Sequence, residues 1–322
     1  MPRALGYVSP LLSNLAVDYS KEVRKGLIAP ILFPRTTVGK PSGKYATFSA
    51  ENAYKVPDVT MAGERSRANE FHTSGKMKDY ATSRYGLKAF IDDADIEFLD
   101  GPFKLWERRH TETLVSKLEL AQEKRLADTV LGLSGRTTTL SGAGLAKTNK
   151  WGNASNAAGG DPDGAIKDAI AKLFFRPNLM ILSESVYDAI EYHPRLLNKL
   201  GEANLIKKVD EANLAKLFRI DRVIIAKGKA DFGKRTAEGT LTVSGIWGNS
   251  VVLAYVSDVW DEPCAGKTLA VKYTEADGQG YIVRSWNEED GGLLGGEYVQ
   301  VGHDVAELVV AEDLIYSLKD VV

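Results

Sequence analysis

The stretch Asp100-Gly101-Pro102-Phe103-Lys104-Leu105-Trp106-Glu107-Arg108-Arg109-His110 runs on without Pro or Gly as far as Leu131, and Gly132 closes it. Asp100 can accept the first free N–H groups of a helix, and Pro102 is tolerated in its first turn. An uninterrupted helix over 103–131 would have about 29 residues and be roughly 43 Å long at about 1.5 Å per residue. Globular helices usually span roughly 8–20 residues. The apolar residues fall in two strips, Leu114, Leu118 and Ala121 on one side and Leu120, Ala127, Val130 and Leu131 on another. Glu107, Arg108, Arg109, Glu112, Lys117, Glu119, Glu123, Lys124, Arg125 and Asp128 fill the rest. Two narrow strips separated by charge predict a helix packed against more than one surface. The plainer alternative is an ordinary long helix crossing a sheet.

Around this helix, 322 residues make one large or two modest domains. Apolar content of 44% and charged content of 26% are those of a soluble globular chain. With 41 basic and 43 acidic residues the net charge is −2, which is not the basic balance of a protein that grips nucleic acid through its phosphates. A lone cysteine, Cys264, rules out an intrachain disulfide framework and fits synthesis in a reducing cytosol. No apolar run approaches the roughly 18 residues that would span a bilayer, so no membrane partner is expected. Met1 to Gly6 lacks the apolar core of a signal peptide.

Residues 1–35 do not read as a self-contained unit. The run Gly26-Leu27-Ile28-Ala29-Pro30-Ile31-Leu32-Phe33-Pro34 is apolar but broken by prolines, which argues for an extended segment laid along another surface. Residues 36–99 read as a two-stranded arm, with strands at 44–49 and 80–91, the second alternating through Tyr85, Leu87, Ala89 and Ile91. Between them lie about 30 mostly polar residues, too long a loop for a compact domain unless it is functional. A projecting hairpin that reaches a neighbouring copy explains its length. Asp92, Asp93, Asp95, Glu97 and Asp100 then gather before the long helix, where carboxylates favour the positive end of the macrodipole. Their spacing does not fit a calcium loop. Further on, the pattern predicts a helix over 165–174, a buried strand over 178–182, helices over 183–192 and 210–218, and buried strands over 222–226 and 251–256. It then predicts strands over 269–273, 281–286, 298–301, 305–311 and 314–318. The alternation between 178 and 260 suggests a mixed α/β region.

Chemistry is hard to find. His72, His110, His193 and His303 lie far apart and without metal-ligand spacing. The Ser141–Thr148 loop brushes against a phosphate-binding pattern but has Ala146 where Gly is required before the Lys. Neither a Gly-x-Ser-x-Gly elbow nor a His-Glu-x-x-His helix is present. Cys264 follows a proline in a turn and reads as a bystander thiol. No general acid, base and nucleophile assemble, so no catalytic residue, cofactor or metal is expected.

The order of parts is distinctive: an N-terminal arm, a long hairpin, a long helix, a mixed α/β region and late return strands. This resembles the major capsid protein of tailed double-stranded-DNA bacteriophages, the Hong Kong 97-type shell fold shared with encapsulins. The most family-like stretches are Tyr19-Ser20-Lys21-Glu22-Val23-Arg24-Lys25-Gly26-Leu27-Ile28-Ala29-Pro30, Asp258-Val259-Trp260-Asp261-Glu262-Pro263-Cys264-Ala265-Gly266-Lys267-Thr268, and the ending from Val309 to Val322. The resemblance implies an α+β fold with an N-terminal arm (1–35), an extended loop and its base (36–99), a spine helix with peripheral domain (100–177), an axial domain (178–295) and peripheral return strands (296–322). It implies a non-enzymatic structural protein that assembles with itself into hexamers and pentamers, encloses DNA without reading its sequence, and resides in the virion after assembly in the host cytoplasm. A scaffolding protein, a portal and a decoration protein are the partners it implies. Because the chain starts close to the arm, it resembles members built on a separate scaffold, or members already matured. Leu27, Ile28, Ile31, Leu32 and Phe33 of the arm, with Arg65, Arg67, Phe71 and Met77 of the hairpin, are the expected contacts between subunits. Two other readings stand beside this one: an encapsulin-type compartment for cargo, and an α/β enzyme using the hairpin to dimerise.

Overall fold

The computed structural model describes residues 7–8, 10–24, 26–47, 56, 59–60, 76–93, 103–141, 146–152, 159–200, 208–231, 243–259, 262–272, 281–291 and 295–322. The long helix, α3, spans Phe103–Leu131, as its composition requires. Ahead of it come β1 (Tyr7–Val8), α1 (Pro10–Arg24), the short α2 (Ala29–Leu32), β2 (Arg35–Val38), β3 (Ser42–Thr47), β4 (Lys76–Ala81) and β5 (Ser83–Asp92). After it come β6 (Thr137–Thr139), α4 (Pro162–Ala171), β7 (Leu179–Ser183), α5 (Glu184–Ile190), α6 (Pro194–Leu200), α7 (Glu211–Phe218), β8 (Arg222–Ala226), β9 (Lys229–Ala230) and β10 (Ser244–Gly245). The chain closes with β11 (Val251–Ala254), β12 (Gly266–Val271), β13 (Tyr281–Glu288), β14 (Gly296–Val309), a 3₁₀ turn (Glu312–Leu314) and β15 (Ile315–Lys319).

Two larger sheets organise the chain. One has the order β1-β13-β14-β12-β2, with β5 also paired to β14. The other runs β6-β15-β11-β7-β8. In the second, every residue of β7 and β11 is buried, and β7 lies parallel to β8. Parallel strands need a crossover, and α5, α6 and α7 supply it, covering the apolar run of β7. Helix α4 starts where Asp161 accepts the Gly164 N–H at 3.2 Å and Pro162 occupies the first turn. It packs with Trp151, Met180, Leu182 and Leu253 in the core of this second sheet.

Several sequence expectations change here. Leu11 to Arg24 lies in a helix rather than an extended arm. Its buried residues Leu12, Ser13, Ala16, Val17 and Ser20 have helical spacing, but two are serines, which hid the stripe. The Ser13 hydroxyl accepts the Val283 N–H at 3.3 Å, so a polar side chain does core duty there. The strand expected over 80–91 is two strands. β4 pairs with β3, and β5, beyond Thr82, pairs with β14 from Gly296↔Asp92 to Val305↔Ser83. The two strands expected over 298–301 and 305–311 are one, β14, which runs alongside β13 and then β12.

Sheet membership also departs from the segment boundaries drawn along the chain. Strands β12 and β13 lie with β5 and β14, whereas β15 pairs with β11 and β6. The last two long strands therefore belong to different sheets, because Ala311 to Leu314 turns the chain from one to the other. The acidic residues Asp95, Glu97 and Asp100 lie outside the described residues.

Candidate assembly surfaces and the helix that joins them

Helix α3 carries one buried face, not two strips. Thr111, Leu114, Val115, Leu118, Glu119, Gln122, Glu123, Leu126, Ala127 and Val130 are buried, whereas Ala121 is exposed. The spacing is four residues along each of two rows. At 3.6 residues per turn each such step precesses by about 40°, so the face turns by roughly 160° between Leu114 and Val130. One end therefore meets α1, β13 and β14 through Leu114, Val115 and Leu118. The other meets α2, β7, β11 and β15 through Leu126, Ala127 and Val130. The expectation of contact with more than one surface holds, by this route.

Between the two apolar ends the buried face is polar. Glu119 and Glu123, read from sequence as surface charges, are 2% and 1% exposed. Glu119 accepts a hydrogen bond from the Tyr281 hydroxyl of β13. Glu123 accepts from the backbone N–H of Ile28 (3.0 Å) and of Ala29 (2.7 Å), and from the indole Nε1–H of Trp247 (2.6 Å). Burial pushes the Glu123 carboxyl above the usual carboxylate range. The hydrogen bonds from Trp247, Ala29 and Ile28 offset part of that rise, and the charge of Glu119 adds to it. The available signal was positional: these carboxylates continue the rows of Val115 and Leu118. Their charge outweighed their place in the pattern.

The arm residues expected to seek cover on a neighbour find it at home. Ile28, Leu32 and Phe33 are buried in the core with α3 and the second sheet, and Leu27 is buried too. The correction has a physical cause. Glu123 holds the start of α2, and Gly266 leaves room for the Phe33 ring, since a Cβ there would lie 2.3 Å from it. Ile31 is half-buried and faces a shallow groove with Pro30, Leu179, Arg222 and Asp258.

The hairpin of β3 and β4 is different. It is registered from Ser42↔Ala81 to Thr47↔Lys76, and none of its twelve residues is buried. Met77 is 68% exposed. The hairpin meets the body where Lys78 pairs with Glu312 at 3.7 Å. Partial burial, and then the charge of Glu312, push the Tyr45 phenol up. Val56 and Val59, beyond the hairpin, are 84% and 79% exposed. Arg65, Arg67 and Phe71 lie outside the described residues.

No centre for catalysis emerges from the other singled-out residues. The Cys264 thiol is buried, which raises its pKa. His193 is buried with Nε2 3.1 Å from the Gly159 carbonyl, and His303 stacks near Tyr281 and Tyr85. Lys147 pairs with Asp168 at 2.9 Å rather than lining a phosphate loop. Among the described residues no group of three or more His, Cys, Asp or Glu side chains could hold a metal ion, and no helix is long and apolar enough to cross a membrane.

No protein-family model matches the chain. The major capsid protein of Burkholderia phage BcepMu is 30% identical over 264 residues, which cover 78% of this chain and 77% of that protein. The chain belongs to the phage major capsid protein family. The major capsid protein of Pseudomonas phage JBD67 is 26% identical over 98% of this chain and 97% of its own. Among solved structures, a phage-related protein from Bordetella bronchiseptica RB50 superposes with a TM-score of 0.71 at 20% identity, covering 98% of both chains. The capsid of cyanophage P-SCSP1u gives 0.57 at 11% identity, over 89% of this chain and 86% of that one. The fold is the Hong Kong 97-type shell fold, mixed in helix and sheet. Family membership makes this a structural protein that self-assembles into capsid shells, with its place in the virion.

Proposed function

We propose that the chain forms hexamers and pentamers that close into an icosahedral shell around the double-stranded DNA of a tailed phage, assembled in the host cytoplasm. In this reading α3 is the spine helix, the β3–β4 hairpin is the extended loop, and the sheet of β7, β8, β11 and β15 is the axial body. The observation that carries it is the hairpin: six registered residue pairs project with no buried residue among them. An isolated two-stranded hairpin is marginal in water. A sister copy that covers Met77 and the residues beyond it would supply the missing burial, through the heterologous contacts from which rings are built. Ile31 and its groove offer a second contact. A near-neutral chain suits a wall that contains DNA without gripping it. A scaffolding protein, a portal and a decoration protein complete the partners of this reading.

Negative-stain microscopy of the protein expressed with its neighbouring gene products tests the proposal. Closed shells of uniform size that hold nucleic acid are expected. Shells that hold only protein would indicate a cargo compartment instead. A chain that stays monomeric or dimeric at high concentration would overturn the proposal.

A further inference from the structure

The joint between α2, α3 and Trp247 rests on one ionisable group. Glu123 is 1% exposed, and its three donors come from positions 94, 95 and 124 residues away in sequence. Two are the backbone N–H groups that begin α2, so this carboxylate seats the N-terminal segment 26–34 on the long helix. No titratable side chain of α2 faces it. Trp247 approaches from the turn between β10 and β11. On its own helix the nearest charge is Glu119, one turn earlier, itself bonded to Tyr281 of β13. Arg35 of β2 lies 4.9 Å from the centre of the Tyr281 ring, and the His303 ring of β14 is 5.1 Å from that of Tyr281. The next helix cations are engaged elsewhere: Lys124 with Asp128 at 2.5 Å and Arg125 with Glu307 at 2.9 Å. A carboxylate removed from water, with a second carboxylate a turn away and no cation bonded to it, favours its protonated form.

We propose that Glu123 is a proton-linked latch: seating segment 26–34 on α3 takes up a proton at Glu123, and releasing the segment into water gives it back. The sign follows from linkage. Burial and Glu119 hold the seated carboxyl above the ordinary glutamate range, whereas a released one returns to that range. The seated form is favoured fully below the ordinary range. That preference weakens as pH rises through the seated value, then levels off. For one proton, the released fraction grows by up to about tenfold per pH unit inside that window. A latch of this kind makes the arm of a shell subunit firmest in acid and most readily freed in alkali.

Hydrogen–deuterium exchange of the peptide covering 26–34, measured across pH on the full-length protein and on Glu123→Gln, tests this. Glutamine keeps an acceptor for Ile28 and Ala29 but cannot titrate, so it calibrates the base catalysis of exchange itself. The ratio of wild-type to Glu123→Gln exchange is expected to climb with pH by up to about tenfold per unit. A ratio flat across the titration would overturn the proposal. Should Glu123→Gln fail to fold, Glu119→Gln gives a second reading. Removing the neighbouring charge should move the onset of loosening in segment 26–34 to lower pH, and an unmoved or raised onset would overturn the latch.

Discussion

Segment 26–34 and the β3–β4 hairpin both leave the body of the chain, yet they end in opposite states. The segment brings Leu27, Ile28, Leu32 and Phe33, all buried in the subunit, and a carboxylate on α3 receives its leading N–H groups. The hairpin brings Tyr45, Met77 and Tyr80 among lysines and small residues, and buries none of its strand positions. The difference teaches that apolar density decides which appendage a subunit can cover by itself. A run with four large apolar groups in seven residues completes a core. A ribbon with one such group every few residues does not, so its cover has to come from elsewhere.

Deleting 56–78 should have the largest effect. Particles should vanish under the microscope while the subunit stays soluble and folded by circular dichroism, and intact shells from this deletion would erase the contrast. Phe33→Ala should act the other way, on the subunit itself. It empties a fully buried site beside Gly266 and should cost about 3–5 kcal/mol in chemical denaturation. Trp247→Phe keeps the packing but removes the N–H that reaches Glu123, and should cost about 1.5–3 kcal/mol in the same measurement. Lys78→Ala breaks an exposed pair with Glu312 at the root of the hairpin. It should change subunit stability by no more than about 1 kcal/mol, with any larger effect confined to assembly yield.

These outcomes bear on how far the chain can be read without coordinates. The span of α3 was legible to the residue, because nothing between Phe103 and Leu131 breaks a helix and Gly132 stops it. The buried strands at Leu179–Ser183, Arg222–Ala226 and Val251–Ala254 were legible as short apolar runs. Helix α1 was not, since Ser13 and Ser20 interrupt its stripe. Nor was the division at Thr82, where an unbroken strand pattern passes from one partner strand to another. Strand pairing is set by which edges lie near, and local alternation carries no record of that. Of the expected contact residues, Met77 and Ile31 keep surface to offer a neighbour, whereas the rest of the arm block is spent inside the subunit.

Sequence alone determined the long helix, the apolar strands and the poverty of the hairpin, because each follows from residues close together in the chain. The tertiary structure decided which sheet took β15 and where the arm came to rest. It also decided that Glu119 and Glu123 would be buried. Those outcomes depend on groups roughly a hundred or more residues apart meeting in space. A carboxylate's place in the interior is set by whichever distant donors the fold brings to it, here Tyr281, Trp247 and the start of α2.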